Sequence, residues 1–318
     1  MEAARIVRAI RGELWIQRAQ LARLADVSPS TIGRIEKGEI DPSCGVLSRI
    51  LDASGFQIDG EGVRPSGDTS AFIAARRVLD VFLSGALGSR GELWAQDGWA
   101  DEQLQALDGP EDQHRWWERW RRAGWLSDHP LAFDVRTMIR AAARISAPGR
   151  LSMPGLVVDV GRRWRDLALR IDEAGLDYAV SELAPGLEHP GSGLARIPRI
   201  YVSDPGAVAS VLRLREATPG TGVPLVTTHG IELEAVHEGC AIRFTSPAQA
   251  IMDALVDGDD GGETGNASRL LHSLLLDVLR YTPRRDKAAR AARAARAAQT
   301  ARAARVARTA RKQNAALP

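Results

Sequence analysis

QRAQLARLADVSPSTIGRIEKGEIDPSCGVLSRILDASGF, residues 17–56, is the stretch whose reading decides the N-terminal fold. Leu21, Leu24 and Ala25 recur at i, i+3 and i+4, so a first short helix has one apolar face. Val27, Ile32 and Ile35 fall where a second helix can close a small core against that face, and the small Ala22 lets the two helices approach. Ser28 can cap the second helix, with Pro29 in its first position, where a missing N–H costs nothing. Asp26 occupies the turn and is one of the few residue types that tolerates a left-handed backbone. The outward residues of the second helix, Ser30, Thr31, Arg34 and Lys37, are short or cationic. Such a face suits a helix laid in the major groove of DNA, its N-terminal end at the base edges, with Arg34 reaching a guanine.

The same stretch resembles the lambda-repressor-like, Cro-type helix-turn-helix family, on Leu21-Ala22, Val27-Ser28, Ile32, Ile35, Glu36, Gly38, Pro42 and a helix containing Leu47, Ile50 and Leu51. The resemblance implies base contacts by Pro29, Ser30 and Arg34 and phosphate contacts by Gln17, Arg18, Ser28, Thr31 and Lys37. It also implies a homodimer on two half-sites of double-stranded DNA. Two positions depart from the family: Gln17-Arg18 stands for its usual Thr-Gln, and Asp26 for its usual turn glycine. Residues 1–60 carry eight basic and eight acidic groups, so this domain has no positive excess to draw in phosphates. A packing or dimerisation module without DNA is the alternative reading.

Residues 1–58 are expected to form the helix-turn-helix domain, and DGEGVRPSGD at 59–68 has the Gly-rich, polar composition of a linker. A helical segment follows over 69–147, with apolar residues at helical spacing in 71–84, 113–126 and 131–145. Its tryptophans, Trp116, Trp117, Trp120 and Trp125, invite a base-stacking site, but at one-turn spacing they are read as a buried helix face. Beyond Pro148 the pattern changes to short β-rich runs alternating with helices, which predicts an α/β or α+β domain over 148–283. Strands are expected at 177–180, 199–202, 225–228, 233–237 and 241–244. Helices are expected at 161–174, at 205–212 behind the cap Asp204, after the cap Ser246, and at 266–280.

Residues 284–318 are an Arg/Ala-rich basic tail, carrying +10 over 284–312 against a whole-chain charge of +2, so the rest of the chain is acidic. Arginines recur every third residue at Arg290, Arg293, Arg296, Arg302, Arg305, Arg308 and Arg311. A step of three winds them around a helix axis and leaves no apolar stripe. The segment is expected to be disordered alone and helical when phosphates neutralise it, giving sequence-independent nucleic-acid affinity. A solvated terminus without function is the alternative. The tail resembles the alanine-rich basic tails of bacterial nucleoid proteins.

No apolar run reaches the length needed to span a bilayer, and the charged N-terminus supplies no signal-peptide core, so a cytoplasmic, nucleoid-associated protein without a membrane partner is expected. Cys44 and Cys240 are far apart and read as reduced thiols. The six histidines, at 114, 129, 189, 229, 237 and 272, show no metal-ligand spacing, and no cofactor is expected. Asp257, Asp259, Asp260 and Glu263 suggest a calcium loop, but Ser268 stands where the bidentate Glu is needed, so an acidic surface turn is read there.

From 151 to 279 the order of elements resembles the C-terminal domain of AbiEi-type antitoxins, on LDYAVSELA at 176–184, IPRIYVSDPGAVASVLRL at 197–214 and IRFTSPAQAIMDAL at 242–255. This resemblance implies a transcriptional autorepressor in a type IV toxin–antitoxin module, with a cognate toxin as partner. The element order is also similar to a degenerate nucleotidyltransferase fold, whose chemistry needs a Gly-Ser turn and two carboxylates one residue apart to hold magnesium. Gly191-Ser192 offers the turn, but Asp204 alone stands near the metal position. A non-enzymatic scaffold is therefore the expectation, and a nucleotidyltransferase-like enzyme targeted to nucleic acid the alternative.

Overall fold

A computed structural model of the chain describes residues 3–60, 62–87, 109–126, 134–160, 163–182, 197–218, 221–234, 237–239 and 242–257. The chain opens on helix α1 (Ala3–Leu14), whose buried Ile6, Val7, Ile10 and Leu14 face the pair expected from the quoted stretch, α2 (Arg18–Leu24) and α3 (Pro29–Lys37). Between these two, Asp26 takes a φ of 53°, the left-handed turn for which its residue type is suited. Helix α4 (Cys44–Ser54) starts at Ser43, whose Oγ accepts the Val46 N–H, and stops at Gly55. Gly55 is required twice over: its φ is +71°, and a Cβ there would lie 2.6 Å from Ile145 Cγ2.

Residues 59–68 differ from the linker expectation. Strand β1 (Phe56–Ile58) pairs antiparallel with β2 (Val63–Pro65), and the chain beyond is tied down by Ser66 N to Gly55 O at 2.9 Å and Gly67 N to Ile145 O at 3.0 Å. Gly and polar residues serve a tight turn as well as a flexible tether, and the neighbouring helix chooses between them. That neighbour belongs to a set made of α5 (Thr69–Leu87), α6 (Glu111–Ala123) and α7 (Val135–Leu151). Their buried residues form one continuous core with Ile6, Ile10, Leu21, Ile32, Ile35 and Ile50 of the helix-turn-helix. All four expected tryptophans lie inside it: Trp116 stacks on Trp120 at 5.8 Å, and Trp117 Nε1 donates to Ala74 O at 3.0 Å.

Helix α7 also runs on through Pro148 to Leu151, past the point where the helical pattern was expected to end. Pro148 sits in its last turn, where the helix loses a single backbone bond, and Gly149 packs so closely that a Cβ would meet the Gly67 carbonyl at 2.2 Å.

The C-terminal region is built on a mixed six-stranded sheet in the order β3-β6-β5-β4-β8-β7. Its strands are β3 (Gly155–Val158), β4 (Tyr178–Ser181), β5 (Arg199–Val202), β6 (Val223–Thr227), β7 (His237–Gly239) and β8 (Ile242–Phe244). The β5–β6 and β4–β8 pairs are parallel, the others antiparallel. β3 was not anticipated, and the strand expected at 233–237 is replaced by a 3-10 turn at Ile231–Leu233 ahead of β7. The Glu232 carboxylate accepts from His229 N and Thr228 Oγ1, each at 3.0 Å, and gathers that stretch into a turn.

One sheet face packs on α8 (Trp164–Glu173) and α9 (Pro205–Val211), burying Trp164, Leu167, Ile171, Val208, Val180, Ile200 and Val202 in a second core. The alternate strand positions Ser181 and Tyr201 meet α10 (Pro247–Val256) on the other face. α10 in turn contributes Ile251, Met252 and Leu255 to the first core, so it joins the two. Asp204 and Ser246 cap α9 and α10 as expected, accepting from Ala207 N at 3.0 Å and Gln249 N at 3.2 Å. Gly191-Ser192, residues 259–318 and with them the 266–280 helix and the arginine tail lie outside the described residues.

Candidate nucleic-acid interface

Ser28 begins the site. Its Oγ accepts the Thr31 N–H at 3.0 Å and meets Thr31 Oγ1 at 2.8 Å, while Pro29 fills the first helical position and Gly38, at φ 73°, ends α3. Between these stops Ile32 and Ile35 are buried, and Ser30, Arg34 and Lys37 fall on the opposite, exposed side. Arg34 and Lys37 keep 55% and 66% of their side chains in solvent, held loosely by Glu39 at 3.9 and 3.4 Å. The helix thus presents a short hydroxyl near its N-terminal end and two exposed cations one turn apart, the chemistry that base edges and phosphates ask for.

The N-terminus of α2 lies alongside. Gln17 N donates to Gln20 Oε1 at 2.8 Å, and Gln17 itself is exposed. Arg18 crosses α3 at Gly33, 3.5 Å from where that residue's Cβ would be, and donates from Nε to Glu36 Oε2 at 2.8 Å with 47% of its side chain still exposed. Arg11 bonds the other oxygen of Glu36 at 2.5 Å. Burial pushes the Glu36 carboxyl up, but the hydrogen bonds and charges of Arg11 and Arg18 outweigh it and hold the group below its ordinary value of 4.5. Spacing in the sequence marked Glu36 only as a family position; its role as a clamp joining α1, α2 and α3 depends on three helices meeting.

A depressed carboxylate stabilises the fold above its unfolded pKa and loses that contribution as pH falls through the folded one. Glu36→Gln is therefore expected to reduce stability at pH 7 and to flatten the acid limb below pH 4.5, as read by urea midpoints taken across pH. An acid limb unchanged by the substitution would remove Glu36 from this role.

A second polar constellation lies buried between the first core and the sheet. Arg150, near the end of α7, donates to Glu232 Oε1 at 2.6 Å, Tyr201 Oη at 2.8 Å and Asp253 Oδ1 at 3.3 Å, with its guanidinium 4.2 Å from the Phe72 ring centroid. Asp253 also accepts from Ser181 Oγ at 2.7 Å, Tyr201 Oη at 2.9 Å and Gln249 Nε2 at 3.0 Å. Burial opposes the charge on Arg150, yet Tyr201, Asp253 and Glu232 around it hold its pKa above the ordinary value. Burial, then the Asp253 charge, pushes the Tyr201 phenol up, so it remains a donor at neutral pH. No residue of this network except Asp253's helix and the two strands was singled out from sequence, because a lone arginine after a proline carries no periodic signal.

Of the residues weighed for metal chemistry, Asp204 caps α9 and Asp257 pairs with Arg199. Asp259, Asp260 and Glu263 lie outside the described residues. Among the described residues no three His, Cys, Asp or Glu stand close enough to hold a metal ion, and no helix is long and apolar enough to cross a membrane.

The class to which the N-terminal unit belongs follows from this geometry and from sequence comparison together: it is a helix-turn-helix domain, the module with which regulators bind DNA. The sequence profile described as a helix-turn-helix domain matches residues 2–61, from α1 to the β1–β2 turn. No curated protein matches the chain, and no solved structure does.

Proposed function

We propose that the chain is a sequence-specific DNA-binding transcriptional regulator. The observation that carries this reading is the capped, exposed face of α3, with Ser30, Arg34 and Lys37 on a helix whose other side is locked into a core. Pro29, Ser30 and Arg34 read base edges, while Gln17, Arg18, Ser28, Thr31 and Lys37 take phosphates, two copies of the chain occupying two half-sites. Because the domain is charge-balanced, selectivity comes from α3, and general affinity from the arginine tail.

Binding-site selection with the full chain, followed by titration of the recovered duplex, tests the reading. Arg34→Ala is expected to weaken that duplex by about 1–3 kcal/mol and to relax preference at one position. Deleting 284–318 is expected to weaken all sequences alike and to flatten the salt dependence by roughly 0.9 per phosphate released. Folded protein that selects no sequence at moderate salt would overturn the proposal.

The C-terminal region serves in this reading as a scaffold for a protein partner, and the resemblance at 176–184, 197–214 and 242–255 makes that partner the toxin of a type IV module with the chain as autorepressor. A helix-capping role, with Oδ1 accepting the Ala207 N–H, suffices to account for Asp204 in such a scaffold. An adjoining toxin gene whose product co-purifies with the full chain is the expected result; folded full chain that fails to retain that product would overturn the assignment.

A further inference from the structure

Two residues before Gln17, Trp15 holds its side chain in solvent at 75% exposure, the most exposed large apolar residue among those described. Its backbone lies at φ 56°, a region that a bulky L-residue rarely enters and that glycine would occupy freely. Neither core packing nor chain geometry therefore accounts for tryptophan here.

A cationic neighbour comes to it from outside the helix-turn-helix. The Arg140 guanidinium of α7 sits 5.6 Å from the Trp15 ring centroid, and among the described residues no carboxylate pairs with it. One turn further along α7, Arg144 pairs with Glu13, and at the start of that helix Asp134 accepts from Gln20 Nε2 at 3.5 Å. These two links, and the common core beneath them, hold α7 against the α1–α2 turn. Of the carboxylates nearby, Glu13 is neutralised by Arg144 and Glu36 by both Arg11 and Arg18, while Asp134 caps α7 and accepts from Gln20. The result is an exposed indole with a cation lying on it, a few residues ahead of the exposed Gln17 and Arg18 at the start of α2.

From this juxtaposition we propose that Trp15 and Arg140 form a second contact with the DNA backbone, beside the recognition helix, the indole packing on a deoxyribose and the guanidinium taking the adjoining phosphate. The inference rests on the DNA-binding reading above and adds to it a contact made by a helix beyond the matched domain. Cation–π attraction preorganises Arg140, so the pair acts as a unit. The ligand chemistry is that of any duplex, since sugars and phosphates carry no sequence.

Hydroxyl-radical oxidation of the full chain, read by peptide mass spectrometry, tests the contact with the duplex recovered by selection and a scrambled duplex of equal length. Trp15 is expected to oxidise readily in free protein and to be protected several-fold by either duplex. Trp15→Ala and Arg140→Ala are each expected to weaken both duplexes roughly three- to tenfold, the double variant little more than either alone. Arg140→Ala should lower the salt slope by about 0.9, and Trp15→Phe should keep most of the affinity.

Three results would overturn the proposal. Residues 29–37 protected while Trp15 oxidises at its free rate would leave DNA binding intact and exclude Trp15 from it. Protection of Trp15 that grows with protein concentration without DNA would assign the patch to a second copy of the chain. Protection of neither segment by either duplex would remove the DNA-binding reading, and this contact with it.

Discussion

Trp116→Ala is expected to lower the unfolding free energy by about 3–5 kcal/mol, and to lower it for the helix-turn-helix and the middle helices together. The side chain is buried among both: it stacks on Trp120 at 5.8 Å, and its Cη2 lies 3.0 Å from where a Cβ on Gly55 would be. Its Nε1 donates to Asp68 Oδ2 at 3.0 Å and to Ser70 Oγ at 3.1 Å. Truncation therefore removes a large apolar volume and leaves the buried Ser70 and the half-buried Asp68 to find other partners. The check is urea unfolding followed both by far-ultraviolet circular dichroism and by binding to duplex DNA. Coincident transitions, shifted together by the substitution, are the expected result. A wild-type chain whose DNA binding survives the loss of half its helicity would instead show a helix-turn-helix that folds by itself.

Arg150→Met should cost a similar amount, about 3–5 kcal/mol, for a different reason. The guanidinium neutralises Glu232 and Asp253 in a region closed to water, so its removal leaves Glu232 buried without that cation and Asp253 dependent on Arg199 at 3.9 Å. Methionine preserves the packing over Phe72, which isolates the electrostatic part of the loss. Glu232→Gln in the Arg150→Met background should then recover part of the stability, since it deletes the stranded charge. If the double variant were less stable than Arg150→Met alone, the penalty would lie in packing or in the Thr228 and His229 bonds to Glu232, and not in unpaired charge.

These two residues mark the limit of what local pattern conveys. The caps Ser28, Asp204 and Ser246, the left-handed Asp26, the buried tryptophan face and the strands at 178–181, 199–202 and 242–244 were all legible, since each depends on residues within a turn or an alternation. The exposed face of α3 was legible for the same reason. The β1–β2 pair in a presumed linker, the continuation of α7 past Pro148 and the 3-10 turn at Ile231–Leu233 were not. In each of them a distant side chain or backbone group overrides a local preference.

The amino-acid sequence by itself determined that residues 17–56 form a capped helical pair with a polar outer face, because helix periodicity and capping are short-range physics. Tertiary structure alone decided that this pair shares one core with α5, α6, α7 and α10, that Arg11 and Arg18 converge on Glu36, and that Arg140 lies over Trp15. Those pairings join residues 25, 18 and 125 positions apart, and only the close packing of helices brings such groups within bonding reach.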